Sequence, residues 1–189
     1  SQRLAVAKLE NPPPSHLAGA SLCLSLYARR SQEPQDGPEV HALNRLLAKV
    51  VETEATLPPS LSSAEFLAKP LLAAALLTPL VAQDLSAAIS KVLEEESFWR
   101  RHGYHGSRDV FGGFQSKRLA TVVGALGLLQ ERNALPAHAS QRVRRLLDLD
   151  RFDLTVELPQ LVLLCQGLKG LGLEGLLIQA RSLQQNRLA

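Results

Sequence analysis

Apolar residues recur every three or four positions along most of this chain, in segments of about ten to twenty residues. This spacing places apolar side chains on one face of an α-helix, where neighbouring helices can bury them. Proline and glycine, which begin and end helices, stand between the segments. The pattern therefore predicts about eight or nine helices and no strands.

The most regular of these patterns lies in the first half of the chain. Val40, Leu43, Leu47 and Val50 fall on one helical line after Pro38, a residue that suits the first turn of a helix. We expect two further helices before it, one within residues 1–10 and one within residues 15–30, because three consecutive prolines separate those two ranges.

The centre of the chain carries two helix starts. Ser62 and Glu65 have the spacing of a capping box, and the helix that they open meets Pro70, which must kink it or split it. Thr78 and Pro79 then begin a helix that we expect to continue to about Arg101. Three consecutive glutamates lie in its last turns, where the helix dipole disfavours negative charge.

Four more helices are predicted in the second half, each from a local start or stop signal. In chain order they are Ser116 to Arg132 with Asn133 as C-cap, a helix that begins at Pro136 or Ser140, Leu158–Pro159 to Gly170 or Gly172, and Leu173 to about Arg187.

Helices joined by short connections pack as antiparallel neighbours. The fold class predicted is all-α, with antiparallel helix pairs stacked as an irregular helical bundle or as a short HEAT- or armadillo-like α-solenoid. No fixed repeat period is visible, so the two arrangements stay open. We expect one domain over residues 1–189, with sub-halves 1–96 and 116–189 joined by residues 97–115.

Composition supports helices built on small side chains. Hydrophobic residues make up 46% of the chain but aromatic residues only 4%, so the core must consist mainly of Leu, Ala and Val. Cys23 and Cys165 lie far apart in apolar stretches, so a disulfide between them stays open, but the pattern is more typical of two buried thiols in a reducing, intracellular compartment, cytoplasmic or nuclear. No apolar run is long enough to cross a membrane.

Charge is divided unevenly between the two halves. Residues 1–95 hold eight Lys and Arg against ten Asp and Glu, a net charge of −2, whereas residues 96–189 hold thirteen against eight, a net charge of +5. An excess of positive charge permits an acidic partner or a nucleic acid on the second half.

One stretch departs from the Leu- and Ala-rich pattern, and we call residues 97–118 the aromatic–basic segment. It holds five of the eight aromatic residues of the chain, four glycines and five Arg or Lys against a single aspartate. Trp, Tyr and Arg dominate the energetics of many protein interfaces. We therefore predict that this segment binds a partner through Trp99, Arg100, Arg101, Tyr104, His105, Arg108, Phe111, Phe114, Lys117 and Arg118.

Catalytic and cofactor chemistry find little support in the sequence. His102, His105 and Asp109 could ligate a metal, but two loop histidines bonded to backbone explain the pattern better, because zinc needs three or four ligands. The glycines of the segment lack the Lys-Ser/Thr and the preceding strand of a phosphate loop, and no Gly-x-Ser-x-Gly occurs. We expect neither an enzyme nor a bound cofactor or metal.

Two kinds of partner then remain. A protein helix or peptide could lie in a groove between helices, which is the hypothesis that we favour for a scaffold or adaptor within a larger assembly. A nucleic acid could instead bind the cations and stack on the rings, with Arg142, Arg144 and Arg145 extending the surface. For Phe98 and Trp99, we expect burial in the core rather than contact with a partner.

The last predicted helix offers a second candidate interface through its leucines and Ile178. The commoner explanation for such a face is that it packs on the helix before it, from Leu158 to Leu168. The sequence leaves the oligomeric state open.

Overall fold

The structure is a computed structural model, and it describes residues 63–77, 83–101, 112–151 and 156–188. These residues form seven α-helices and one short 3-10 helix, Leu149–Arg151, and contain no strand. The α-helices are α1 (Ser63–Leu77), α2 (Gln83–Glu94), α3 (Glu96–Arg101), α4 (Gly112–Glu131), α5 (Ala139–Leu146), α6 (Leu158–Gly170) and α7 (Glu174–Leu188). The all-α prediction is confirmed for this part of the chain. The helices predicted within residues 1–62, and the start predicted at Thr78–Pro79, lie outside the described residues.

Helix α4 is the centre of the described core. All residues from 119 to 127 except Thr121 are buried, so the helix is covered on nearly every side. It packs most extensively against α6 and α1, and α6 in turn packs against α7. A helix that is apolar all round is stable only with such cover, because each of its faces must be removed from water.

The contact between α4 and α6 is a crossing of backbones at glycines. A Cβ added at Gly127 would lie inside contact distance of the Gly167 backbone, and one added at Gly170 would lie 2.6 Å from the Gly127 carbonyl oxygen. Any larger residue at these positions would force the helices apart. Gly124, Gly127, Gly167 and Gly170 thus determine how closely the two helices approach.

Two helices end with the same hydrogen-bond pattern, the Schellman motif. After α4, the N–H of Asn133 donates to Gln130 O and that of Ala134 to Leu129 O, with Asn133 at φ 56°. After α6, Gly172 at φ 69° occupies the equivalent position. The predicted C-cap at Asn133 and the predicted end near Gly170 or Gly172 are confirmed.

Several predicted boundaries are also confirmed, and others are wrong. Helix α6 begins at Leu158 and α7 one residue after the predicted start. Helix α4 begins at Gly112, so Ser116 lies within it and is not its cap. Helix α5 begins at Ala139, between the two predicted starts, and Pro70 lies inside a continuous α1 that it does not split.

The prediction of a single helix that continues to about Arg101 is wrong, because the chain leaves helical geometry at Glu95. Helix α2 ends at Glu94 and α3 begins at Glu96. The break places Glu96 in the first turn of a new helix, where its negative charge is favourable, instead of in a last turn, where it is not.

Candidate partner-binding site

The structure describes the side chains of four of the ten residues predicted to bind a partner: Trp99, Arg100, Lys117 and Arg118. For Arg101 and Phe114 it describes only the backbone, within α3 and α4. Four others, Tyr104, His105, Arg108 and Phe111, lie outside the described residues. Partner binding by these ten residues stays a prediction. The four described side chains lie at the two ends of the aromatic–basic segment.

Trp99 belongs to the core. Its side chain is fully buried, as the sequence favoured, and its indole N–H donates a 2.9 Å hydrogen bond to the carbonyl oxygen of Val92. Val92 lies in the last turn of α2, where carbonyl groups have no partner within the helix. The ring therefore fills the core and at the same time caps α2, which ties the start of the segment to the body of the protein.

Arg142 on α5 reinforces the same corner. Its Nε donates to the carbonyl oxygen of Leu93 over 3.0 Å, and its Nη2 lies 3.4 Å from Glu96 Oε1. One guanidinium therefore joins α5 to the end of α2 and the start of α3. The sequence suggested Arg142 only as an extension of a basic surface, and its capping role has no local signal, because 49 positions separate it from Leu93.

Arg100 is the exposed cation at this end of the segment. Its Nη2 donates to Glu96 Oε2 over 3.0 Å, four residues earlier in the chain. The Arg100 side chain is 75% exposed and that of Glu96 46%, so solvent screens the pair strongly.

Lys117 and Arg118 mark the other end of the segment. Lys117 Nζ lies 2.5 Å from Glu157 Oε1, at the residue that precedes α6. Both cations are half-buried, and the residues that follow them, Leu119 and Ala120, are completely buried. The chain thus passes from partly exposed cations into the core within one helical turn of α4.

A second arginine caps another helix end. Arg132, just after α4, donates to the carbonyl oxygen of Ala75 in the last turn of α1. A cation at a helix C-terminus also offsets the negative end of the helix dipole. Arg132 therefore caps the C-terminal end of α1, as Arg142 caps that of α2.

In the described part of the chain, no three His, Cys, Asp or Glu side chains come together as metal ligands, and His102, His105 and Asp109 lie outside it. A cavity of about 400 Å³ opens beside the start of α7, where Arg144, Glu174 and Gln179 contribute polar atoms. Glu174 and Arg144 are both exposed.

Cys165 on α6 is a free, half-buried thiol whose Sγ lies 3.8 Å from Gln184 Oε1 on α7. Burial raises the pKa of Cys165, and the positive charge of Arg181 partly opposes that rise. The thiolate, which is the reactive form, is therefore disfavoured. Cys23 lies outside the described residues.

Helix α7 packs on α6. This is the arrangement that the sequence analysis gave as the commoner explanation for the leucines of the last predicted helix. Leu173 and Leu177 are buried against the core, whereas Ile178 is 65% exposed. On α6 itself, Leu158 and Val162 are also partly exposed, at 41% and 38%.

Comparisons with known proteins add no relative. No protein-family model matches the chain, and no curated protein or solved structure matches it. No helix among residues 63–77, 83–101, 112–151 and 156–188 is both long enough and apolar enough to span a membrane. The function must therefore be argued from the residues themselves.

Proposed function

We propose that this protein is a non-catalytic protein–protein interaction module, a scaffold or adaptor within a larger intracellular assembly, and that the aromatic–basic segment is its binding surface. The partner is a protein helix or peptide that contacts the cations and rings of this segment. The arrangement that we propose for the whole chain is a stack of antiparallel helix pairs, either an irregular bundle or a short α-solenoid, whose inter-helix grooves can receive such a partner.

One observation carries the proposal: buried residues fix both ends of the segment, and surface cations stand directly beside them. Trp99 is fully buried next to the exposed Arg100, and Leu119 is fully buried next to Arg118. A binding segment held at both ends loses less conformational entropy when it binds than a free one does. The geometry therefore supports a surface whose ends are already in place before a partner arrives.

Nucleic acid is the alternative, and the ion pairs weigh against it. Arg100 is paired with Glu96, and Lys117 is paired with Glu157, so two of the five cations of the segment have a carboxylate beside them. A phosphate backbone would meet this negative charge as well as the positive charge. A protein partner, which can supply both signs, fits mixed charge better.

The first experiment separates these two classes. Fluorescence anisotropy with labelled single- and double-stranded oligonucleotides, at about 50 and about 200 mM salt, covers a range over which phosphate-driven binding falls steeply. We expect no binding at either concentration. Binding at the lower concentration that collapses at the higher would favour the nucleic-acid alternative.

The second experiment tests the protein partner. Immobilised wild-type chain, Tyr104→Ala and Arg108→Ala are compared in capture from a cell extract, with quantitative mass spectrometry of the bound proteins. The matched control is Arg181→Ala, an exposed arginine on α7 outside the segment. We expect a set of proteins that wild type and the control retain and that both segment variants lose. Equal capture by all four chains would contradict the proposal.

A further inference from the structure

We propose that Arg142 is a positioning residue for the aromatic–basic segment, because it fixes the direction in which α3 presents Arg100. This inference rests on the proposed function, since it concerns how that same surface is held. Arg142 itself lies on α5, 46 positions or more beyond its contacts, and it is not one of the ten residues of the segment predicted to bind a partner.

Helix α3 cannot hold its own position. It has six residues, whereas an isolated helix shorter than about 12–15 residues is marginal in water. Its place must therefore come from contacts with the rest of the fold. Its described contacts include the burial of Trp99, the Trp99–Val92 hydrogen bond and the Arg142–Glu96 pair.

Arg142 links these contacts because its guanidinium reaches two elements at once. Nε bonds to the last turn of α2 through Leu93 O, and Nη2 bonds to the first residue of α3 through Glu96 Oε1. The planar guanidinium fixes the angle between its donors, so the two bonds define an orientation as well as a distance. Helix α3 is thereby oriented relative to the end of α2.

Glu96 connects Arg142 to Arg100, an exposed cation of α3. Its Oε1 faces Arg142 and its Oε2 accepts a hydrogen bond from Arg100. The carboxylate that Arg142 holds is thus the one that directs Arg100. The Arg142 side chain is 27% exposed and two of its nitrogens are already bonded, which suits a supporting role better than direct binding.

The test uses Trp99 as a reporter, because it is the only tryptophan in the chain. Acrylamide quenching of its fluorescence is compared in the full-length wild type, Arg142→Ala, Arg142→Lys and the control Arg145→Ala. We expect a several-fold rise in the quenching constant for Arg142→Ala and no rise for the control. Arg142→Lys keeps the charge but cannot make both bonds in the same geometry, so its value should be intermediate. Unchanged quenching in Arg142→Ala would overturn the proposal.

A second measurement separates positioning from a general loss of stability. Amide hydrogen exchange in Arg142→Ala should increase about tenfold at Arg100 and Arg101, as loss of a charge-assisted hydrogen bond implies, with little change in α4 and α6. An equal increase in α3, α4 and α6 would mean that Arg142 supports only the global fold, which would also overturn the proposal.

A third measurement connects the effect to binding. Capture of the proteins that wild type binds should fall in Arg142→Ala to the level of Arg108→Ala, and recover in part in Arg142→Lys. If Arg108→Ala and Tyr104→Ala leave capture unchanged, the proposed function fails, whereas quenching and exchange still decide whether Arg142 orients α3. If those two variants lose capture and Arg142→Ala retains it, the positioning role is contradicted and the proposed function stands.

Discussion

Two regions of this protein hold helices together by opposite means. At the crossing of α4 and α6, Gly127, Gly167 and Gly170 bring two backbones into direct contact. At the corner of α2, α3 and α5, long side chains reach across and donate hydrogen bonds to carbonyl groups at the end of α2. The glycine crossing depends on shape, so any added side-chain atom disrupts it. The corner depends on hydrogen-bond donors, so a different donor can replace part of the lost bonding.

The largest effect should come from the glycine crossing. In Gly127→Ala, the added methyl group must displace the Gly167 backbone, and a backbone in a packed helix cannot move aside as a flexible side chain can. We expect a loss of up to about 3 kcal/mol in the free energy of unfolding, the upper end of typical overpacking costs. Urea denaturation followed by circular dichroism measures it.

The matched control is Gly175→Ala on α7, where nothing lies within 4 Å of an added Cβ. The same chemical change should there leave stability unchanged or raise it by up to about 1 kcal/mol, because alanine favours helix over glycine. Equal effects at the two glycines would mean that the crossing does not constrain the fold.

The next largest effect should come from Trp99→Phe. Phenylalanine keeps an aromatic ring in the core but has no N–H, so the Val92 carbonyl loses the donor that caps it. We expect a loss of about 2 kcal/mol, within the range for an unsatisfied buried polar group. Circular dichroism must follow the unfolding, because this variant lacks the only tryptophan. Wild-type stability in Trp99→Phe would show that the hydrogen bond contributes nothing and that packing alone holds the ring.

A smaller effect is expected at Arg132, whose hydrogen bond to Ala75 O is only partly buried. Arg132→Ala should lower the free energy of unfolding by about 1 kcal/mol, the typical net contribution of one hydrogen bond. Arg132→Lys should recover some of the loss because it keeps a donor and a positive charge near the end of α1. If lysine were no better than alanine at this position, a capping role would be excluded.

The smallest effect concerns the exposed pair Lys117–Glu157. Lys117→Ala, Glu157→Ala and the double variant form a thermodynamic cycle, and we expect a coupling energy of about 0.2–1 kcal/mol that shrinks as salt is added. A coupling above that range and insensitive to salt would mean that the pair is far less accessible to solvent than its surroundings indicate.

The difference between the two regions also explains what the sequence could predict. Helix ends at Asn133 and near Gly170 depend on signals within a few residues, and the structure has them where they were predicted. The start of α6 at Leu158–Pro159 is local in the same sense. Long-range partners were not predictable: Gly127 lies 40 positions from Gly167, and neither residue indicates the other.

The break at Glu95 is the clearest example of a long-range cause. Residues 83–101 have a helical pattern throughout, yet they form two helices, and Arg142, which lies 46 or more positions away, bonds to both sides of the break. For the candidate site, the sequence could name a segment with the composition of an interface. It could not show that Trp99 caps α2, which depends on how α3 packs on the end of α2, or that Glu96 lies between two arginines, which depends on Arg142 of α5.

The enclosure of α4 has a consequence for how this architecture could have diversified. A helix buried over residues 119–127 has no face left to change, because nearly every substitution there alters packing with a neighbour on some side. New recognition properties could therefore arise only on the peripheral helices and on the connections between helices. We expect variation among descendants of this chain to be lowest along α4 and greatest at positions such as Ile178, whose side chain is mostly in solvent.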